Sequence, residues 1–184
     1  LAYLSCANFD RARECFTYAL AEKRRLYGDS SLPVAVSYNH LGVLGVQSQH
    51  FDEAEKNTLS AIHIIESMNR KDDFDLAVFY SNMASVCTHG ERFDEAKQWS
   101  DRALVIVSAA SARQDDRISL LYSNCALIAV LGGRYAEGID WYLKAIPLAE
   151  PVSLESTENS AVAYNGIALA YYYLGDYAKS FFYY

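Results

Sequence analysis

Residues 51–54 read Phe51-Asp52-Glu53-Ala54, and 42 residues later the chain reads Phe93-Asp94-Glu95-Ala96. The same step reaches Tyr135-Ala136-Glu137-Gly138 and Tyr177-Ala178-Lys179-Ser180, and one step back reaches Phe9-Asp10-Arg11-Ala12. An aromatic residue thus returns five times at a fixed interval, which is the sequence mark of a repeat architecture. Other columns keep the register. Tyr38, Tyr80, Tyr122 and Tyr164 stand 13 residues before the aromatic, and Gly42, Ala84, Ala126 and Ala168 stand nine before it. Ala12, Ala54, Ala96, Gly138 and Ser180 stand three after it, and Ala19, Ala61, Ala103 and Ala145 ten after it. Small residues recur where two helices must approach closely.

Each unit reads as a pair of helices. Apolar residues recur at helical spacing through Val36–Leu44 and again through Phe51–Ile65, with a polar turn from Gln47 to His50 between them. The turn returns as His89-Gly90-Glu91-Arg92, Gly132-Gly133-Arg134 and Gly175-Asp176, where glycine suits a left-handed cap. Polar connectors, Gly28–Leu32, Arg70–Asp75, Ala112–Arg117 and Pro151–Asn159, separate the units and offer Asp, Ser and Thr as N-caps. Pro147 falls within a second helix and is expected to kink or end it after Ile146, with a local change of pitch.

The tyrosine at the fourth column, Leu41-Gly42 at the seventh and eighth, the Phe51-Asp52-Glu53-Ala54 run and Ala61 together resemble a tetratricopeptide repeat. The usual period of that repeat is about 34 residues; eight more fit a longer second helix and connector. The 42-residue form, with Tyr38-Asn39-His40-Leu41-Gly42 following Leu26-Tyr27-Gly28-Asp29 and Leu32-Pro33, resembles the kinesin light chain repeats in particular. The resemblance implies an all-α fold, a right-handed α-solenoid of antiparallel helix pairs. Residues 1–184 form a single array: a partial repeat 1 (1–32), repeat 2 (33–74), repeat 3 (75–116), repeat 4 (117–158) and a partial repeat 5 (159–184). Leu1 aligns with the ninth column, and Tyr184 lies eight residues into a second helix, so the expectation is a window of a larger array. Its uncovered apolar ends, Phe181 to Tyr184 among them, would favour end-to-end self-association.

Composition narrows the function. Of 184 residues, 16 are Lys or Arg and 23 are Asp or Glu, a net charge of −7, which opposes phosphate-directed nucleic-acid binding. No apolar run reaches the roughly 18 residues of a membrane span, and no secretory leader pattern opens the chain. The four cysteines, Cys6, Cys15, Cys87 and Cys125, lack zinc-site spacing and read as reduced thiols packed in helices, which fits a cytoplasmic setting. Phosphate loops, dinucleotide fingerprints, zinc-protease motifs and nucleophile elbows are missing. Gly28-Asp29-Ser30-Ser31-Leu32 faintly resembles a hydrolase serine block but reads as a connector turn. His40, His50, His63 and His89 fall in different columns and form no metal-ligand pair. No catalytic residue, metal or cofactor is expected.

The charge distribution is sharper. The first helices, residues 35–48, 77–90, 119–132 and 161–174, total 56 residues; at 21% charged they would hold about 12 charges, yet they hold none. In the resembled architecture these helices line the concave groove. Core packing of the Tyr, Leu, Gly and Ala columns accounts for part of this. The remaining columns place Asn39, His40, Val43, Val46 and Gln47 in the groove, then Asn82, Ser85, Thr88 and His89. Asn124, Leu127, Val130 and Leu131 follow, then Asn165, Leu169, Tyr172 and Tyr173. An asparagine amide donates and accepts, so it can hold a peptide backbone of any sequence. In the kinesin light chain resemblance such asparagines hold cargo peptides; Asn39 and Asn165 sit one column early. The alternative is that they cap or bridge helices. Because the groove helices lack Lys and Arg, carboxylate-clamp and acidic-cargo binding are not expected, and Lys23-Arg24-Arg25 reads as a solvated helix face. The expected function is a non-catalytic adaptor that binds a partner's peptide segment. The alternatives are an architectural scaffold segment of a cytoskeletal or motor assembly and a sensor of a small signalling peptide.

Overall fold

A computed structural model describes residues 8–70, 74–110, 117–149 and 154–184, and every regular element among them is an α-helix. In chain order these are α1 (Phe9–Tyr27), α2 (Leu32–Gln47), α3 (Phe51–Ser67), α4 (Phe74–His89), α5 (Phe93–Ala110), α6 (Arg117–Leu131), α7 (Tyr135–Ala149), α8 (Leu154–Tyr173) and α9 (Tyr177–Tyr183). Each aromatic of the 42-residue period opens a helix. The helices divide into two compact units, α1–α4 up to Arg92 and α5–α9 from Phe93.

First and second helices differ for a physical reason. The second helices carry acid in their first turn, Asp52 and Glu53 in α3 and Asp94 and Glu95 in α5, where it complements the positive end of the helix dipole. The first helices α2, α4 and α6 are uncharged through their interiors because they are buried around most of their circumference. On α6, ten residues from Ile118 to Val130 are buried, Ser119, Tyr122, Cys125 and Ala129 among them. An all-round apolar helix is stable only when neighbours cover it.

In the first unit, α2 lies close along α3 because two glycines face it. A Cβ on Gly45 would stand 2.9 Å from both the Cβ and the backbone nitrogen of Ala54, and one on Gly42 would collide with the Thr58 side chain. Leu20, Val34 and Leu41 close the α1–α2 side, with Phe16, Tyr38 and Ile64 packed against them. In the second unit the small residue changes sides: a Cβ on Gly138 of α7 would stand 3.0 Å from the Ala126 carbonyl of α6. The core there gathers Ala126, Val130, Ile139, Tyr142, Ile146, Ala163, Ile167 and Ala170. Tyr142 is sealed against Gly166, where any Cβ would strike its ring, and burial raises its phenol to about 12. Ser119 Oγ donates to the Ala145 carbonyl at 3.0 Å, fastening α6 to α7.

Several expectations are corrected. Pro147 does not end α7 at Ile146; the helix runs on through it to Ala149. Only Leu148 and Ala149 follow the proline in α7, so beyond its own missing N–H, which would have met the Leu143 carbonyl, few downstream backbone bonds are at stake. Residues 154–159, expected in a connector, already belong to α8. Cys87 and Cys125 are buried, the latter with its thiol raised to about 12 by burial, but Cys15 is exposed on α1. Cys6 and the connector residues 71–73, 112–116 and 151–153 lie outside the described residues. The Gly28–Leu32 block is a turn: Gly28 is left-handed (φ 77°) and Ser31 Oγ donates to its carbonyl at 3.0 Å instead of capping α2.

Every first helix in the described repeats ends alike. The residue two before the aromatic is left-handed: Gln49 (φ 61°), Glu91 (φ 57°), Gly133 (φ 77°) and Gly175 (φ 78°). The next N–H then reaches back five residues, from His50 to Gly45 at 2.8 Å, Arg92 to Cys87 at 2.9 Å, Arg134 to Ala129 at 2.8 Å and Asp176 to Tyr171 at 3.0 Å. This is the Schellman pattern. Glycine meets the expectation at Gly133 and Gly175, but Gly90 sits one residue early and the strained position falls on Glu91. A left-handed L-residue costs roughly 1–2 kcal/mol, offset by the extra freedom glycine gives the unfolded chain, about 0.4–1 kcal/mol. Glu91→Gly is therefore expected to stabilise the fold by about 0.5–1 kcal/mol. Thermal unfolding followed by circular dichroism should show a raised midpoint; an unchanged or lowered one contradicts the cap geometry.

Candidate functional site

On α2, α4 and α6 a stripe with the spacing of a single helix face stays at least partly uncovered, with Tyr38, Val46 and Thr88 half-buried beside it. On α2 it is Val36, His40, Val43 and Gln47; on α4, Val78, Asn82, Ser85 and His89; on α6, Leu120, Asn124, Leu127 and Leu131. These are the same four repeat columns each time. None of the twelve residues is Asp, Glu, Lys or Arg.

The predicted site residues fall on this stripe unevenly. His40, Val43, Asn82, Ser85, His89, Asn124, Leu127 and Leu131 lie on it, whereas Asn39 is only 6% exposed and belongs to the contact between α2 and α4. Val130, named from the repeat geometry, is 2% exposed and part of the core. The apolar position it was given is held by Leu120, which is 46% exposed and which the sequence reading missed. The α2 and α4 patterns could have located it, since Val36 and Val78 occupy its column. On α8, Leu169 and Tyr173 continue the stripe and are exposed, but the asparagine column carries Gly166, buried under Tyr142. Asn165 and Tyr172 are exposed in neighbouring columns, Asn165 in the one that buries Asn39, Ser81 and Ser123. Tyr172 meets Tyr173 and Tyr177 edge-on at 5.8 and 5.7 Å.

Aromatic contacts keep the histidines in place. His89 stacks on Phe51 with ring centroids 5.5 Å apart, and His40 packs on Phe16 at 5.6 Å. Desolvation against the protein and the nearby Lys23 charge hold His40 below the ordinary imidazole range. His40 therefore stays neutral at neutral pH. The stability it contributes is complete above the ordinary imidazole value and is lost as pH falls from there toward its folded pKa. The basic run is occupied within the chain: Lys23 Nζ donates to Ser37 Oγ at 2.9 Å, Arg24 pairs with Asp29, and Arg25 pairs with Glu22 at 2.9 Å. Among the described residues no group of three or more His, Cys, Asp or Glu side chains is placed to hold a metal ion. No helix there is long and apolar enough to cross a membrane.

In the first unit the asparagines bridge. Asn82 Nδ2 donates to Asn39 Oδ1 at 2.8 Å, tying α4 to α2. Asn82 is half-buried, and its Oδ1 has no hydrogen-bond partner among the described residues. Beside the pair opens a pocket of about 200 Å³ lined by Gly42, Val43, Val46, Gln47, Thr58, Asn82, Ser85 and Val86.

Removing Asn82 would leave the buried Asn39 oxygen unpaired, a desolvation penalty of about 1–3 kcal/mol. Asn82→Ala should therefore destabilise the fold by that order, and the Asn39→Ala/Asn82→Ala pair by less than the sum of the single changes. Denaturant unfolding of the four proteins in the cycle measures this; strictly additive effects would show that the amides are not coupled.

Comparison with known proteins agrees with this geometry. A family model described as tetratricopeptide repeat matches residues 75–150 and 117–184. No curated protein matches the chain in sequence. Among solved structures, BtubC (BKLC) from P. vanneervenii is 16% identical with a TM-score of 0.81, covering 98% of this chain and 72% of its own. A Podosopora anserina kinesin light chain with nearly identical TPR-like repeats is 14% identical with a TM-score of 0.77, covering 99% of this chain and 86% of its own. The Pseudomonas aeruginosa pilF protein is 16% identical with a TM-score of 0.67, covering 99% of this chain and 68% of its own. At such identities the likeness is one of fold, an all-α helical solenoid. The two family matches together span residues 75–184, more than half the chain, and the chain belongs to the tetratricopeptide-repeat family of protein–protein interaction modules.

Proposed function

We propose that this chain is a non-catalytic adaptor whose first helices hold an extended, neutral peptide segment of a partner protein, a cargo-binding role similar to that of kinesin light chain. The observation that carries the reading is the exposed stripe. It is uncharged in a protein of net charge −7, and it combines amide and imidazole side chains with aliphatic ones and Ser85. Amides hold a peptide backbone, and the exposed Leu120, Leu127 and Leu131 supply apolar area for its side chains. The groups with the most perturbed titration, Cys125 and Tyr142, are sealed in the core by the burial that shifts them, which supports structural rather than catalytic roles. Exposed Phe181 and Phe182 on α9 support a further apolar contact, including one between copies of the chain.

The test is selection of a displayed peptide library on the intact chain, followed by calorimetric titration of the selected peptides. The selected peptides should be uncharged. Asn124→Ala and Leu127→Ala should each weaken binding several-fold, since a lost hydrogen bond is worth about 0.5–1.5 kcal/mol and an apolar anchor more. Asp52→Ala and Asp94→Ala, exposed on second helices, should change little; Glu53 is a poorer control because it pairs with Arg13 at 3.5 Å. Affinity should change by less than about tenfold as the Debye length shortens from about 30 Å at 0.01 M salt to about 8 Å at 0.15 M. Steep salt dependence, or equal effects of stripe and control variants, would return the chain to the scaffold reading.

A further inference from the structure

Resting on the peptide-binding reading, we infer that the pocket between α2 and α4 is a specificity subsite that takes one phenyl-sized, uncharged side chain of the ligand. Its size sets the class of occupant. About 200 Å³ falls short of the roughly 300–1,000 Å³ of sites that enclose whole small molecules. It exceeds the cavity of about 150 Å³ that admits one benzene. A single ring or its aliphatic equivalent fits; a cofactor does not.

The lining sets the chemistry. Val43, Val46 and Val86 provide apolar walls, and Gln47, Asn82 and Ser85 are polar and uncharged. No lining residue can neutralise a ligand carboxylate or ammonium, and burying an unpaired charge is costly. Asn82 is held by Asn39, so its amide is fixed before a ligand arrives, which reduces the ordering cost of binding. Thr58, fully buried at 0% exposure, lines the same pocket, and its hydroxyl has no hydrogen-bond partner among the described residues.

The second unit supplies an internal comparison. Tyr142 occupies the repeat column of Thr58, and Gly166 that of Asn82. There the Tyr142 ring is 1% exposed and packs against Gly166 within the core that includes Val130 and Ala170, the counterparts of Val46 and Val86. Between these columns the chain itself seats an aromatic ring in the second unit. With Thr58 and Asn82 in those columns, the first unit keeps the space as a pocket.

Capped single residues serve as probes: N-acetyl-phenylalanine methylamide, its tryptophan counterpart, and the lysine and glutamate equivalents, each titrated into the intact chain with methyl NMR. The phenylalanine probe should shift the Val43, Val46 and Val86 methyls in a saturable way, with the charged probes at least about tenfold weaker, the low end of what burial of one apolar side chain contributes. Ser85→Phe and, independently, Val46→Phe should fill the pocket and reduce the shifts by a similar factor, with helicity retained by circular dichroism. Equal response to phenylalanine and glutamate probes, tighter binding of tryptophan than phenylalanine, or no valine shifts at saturating probe would overturn the inference. Valine methyls that stay still while display-selected peptides shift the Leu120, Leu127 and Leu131 methyls would overturn the pocket alone and leave the peptide-binding reading standing.

Discussion

The close approach of a first helix to its second helix is the constraint on which the rest depends. Where α2 meets α3, Gly42 and Gly45 leave no room for even a methyl group beside Thr58 and Ala54. In the second unit Gly138 plays the complementary part against Ala126. One side of each close contact is stripped of side chain, and which helix carries the glycine is interchangeable. Packing this tight covers the first helix on most sides, so charge is excluded from its interior. What remains is a single stripe, and the candidate site follows from that remainder.

Legibility in the sequence follows the same physics. The 42-residue aromatic period located all five helix starts from Phe9 to Tyr177, because the aromatic and the small residues around it are repeated packing devices. The absence of charge from the first helices was equally plain. Periodicity could not tell a stripe residue from its neighbour on the same helix turn. Val130 and Leu131 differ by one position, yet one is core and the other half exposed. Asn39 looked like a groove amide because the repeat shifts its asparagine by one column, and that shift turns it inward to meet Asn82. The left-handed cap was legible only where glycine marks it; Gln49 and Glu91 adopt it under the hydrogen-bond pattern of the turn.

The repeats also differ in ways that a consensus would hide. Arg92 reaches back to Glu55 with bonds of 3.1 and 2.7 Å, joining a turn to the preceding second helix. One repeat later Lys97 stands in the column of Glu55, so Arg134 pairs with Glu137 at 2.9 Å and Lys97 with Asp101 at 2.7 Å. A like charge in one position has converted an inter-repeat pair into two local ones. Partly exposed pairs of this kind contribute about 0–1 kcal/mol each, so the exchange alters the stacking surface more than the stability. Tyr142 with Gly166, in place of a hydroxyl with asparagine, is the apolar version of such an exchange, and it separates a filled core from an open pocket.

The most direct measurement of the central constraint is the thermal unfolding midpoint of Gly45→Ala. In an ordinary helix interior this change stabilises by about 0.5–1 kcal/mol, because alanine gives up less freedom on folding. Here the new methyl would press on Ala54 at 2.9 Å, partly on backbone that cannot rotate away. Overpacking of this kind costs about 1–3 kcal/mol, so the midpoint is predicted to fall. A midpoint equal to or above that of the parent would show that the helices do not depend on this contact, and the account of how the stripe is formed would fail with it.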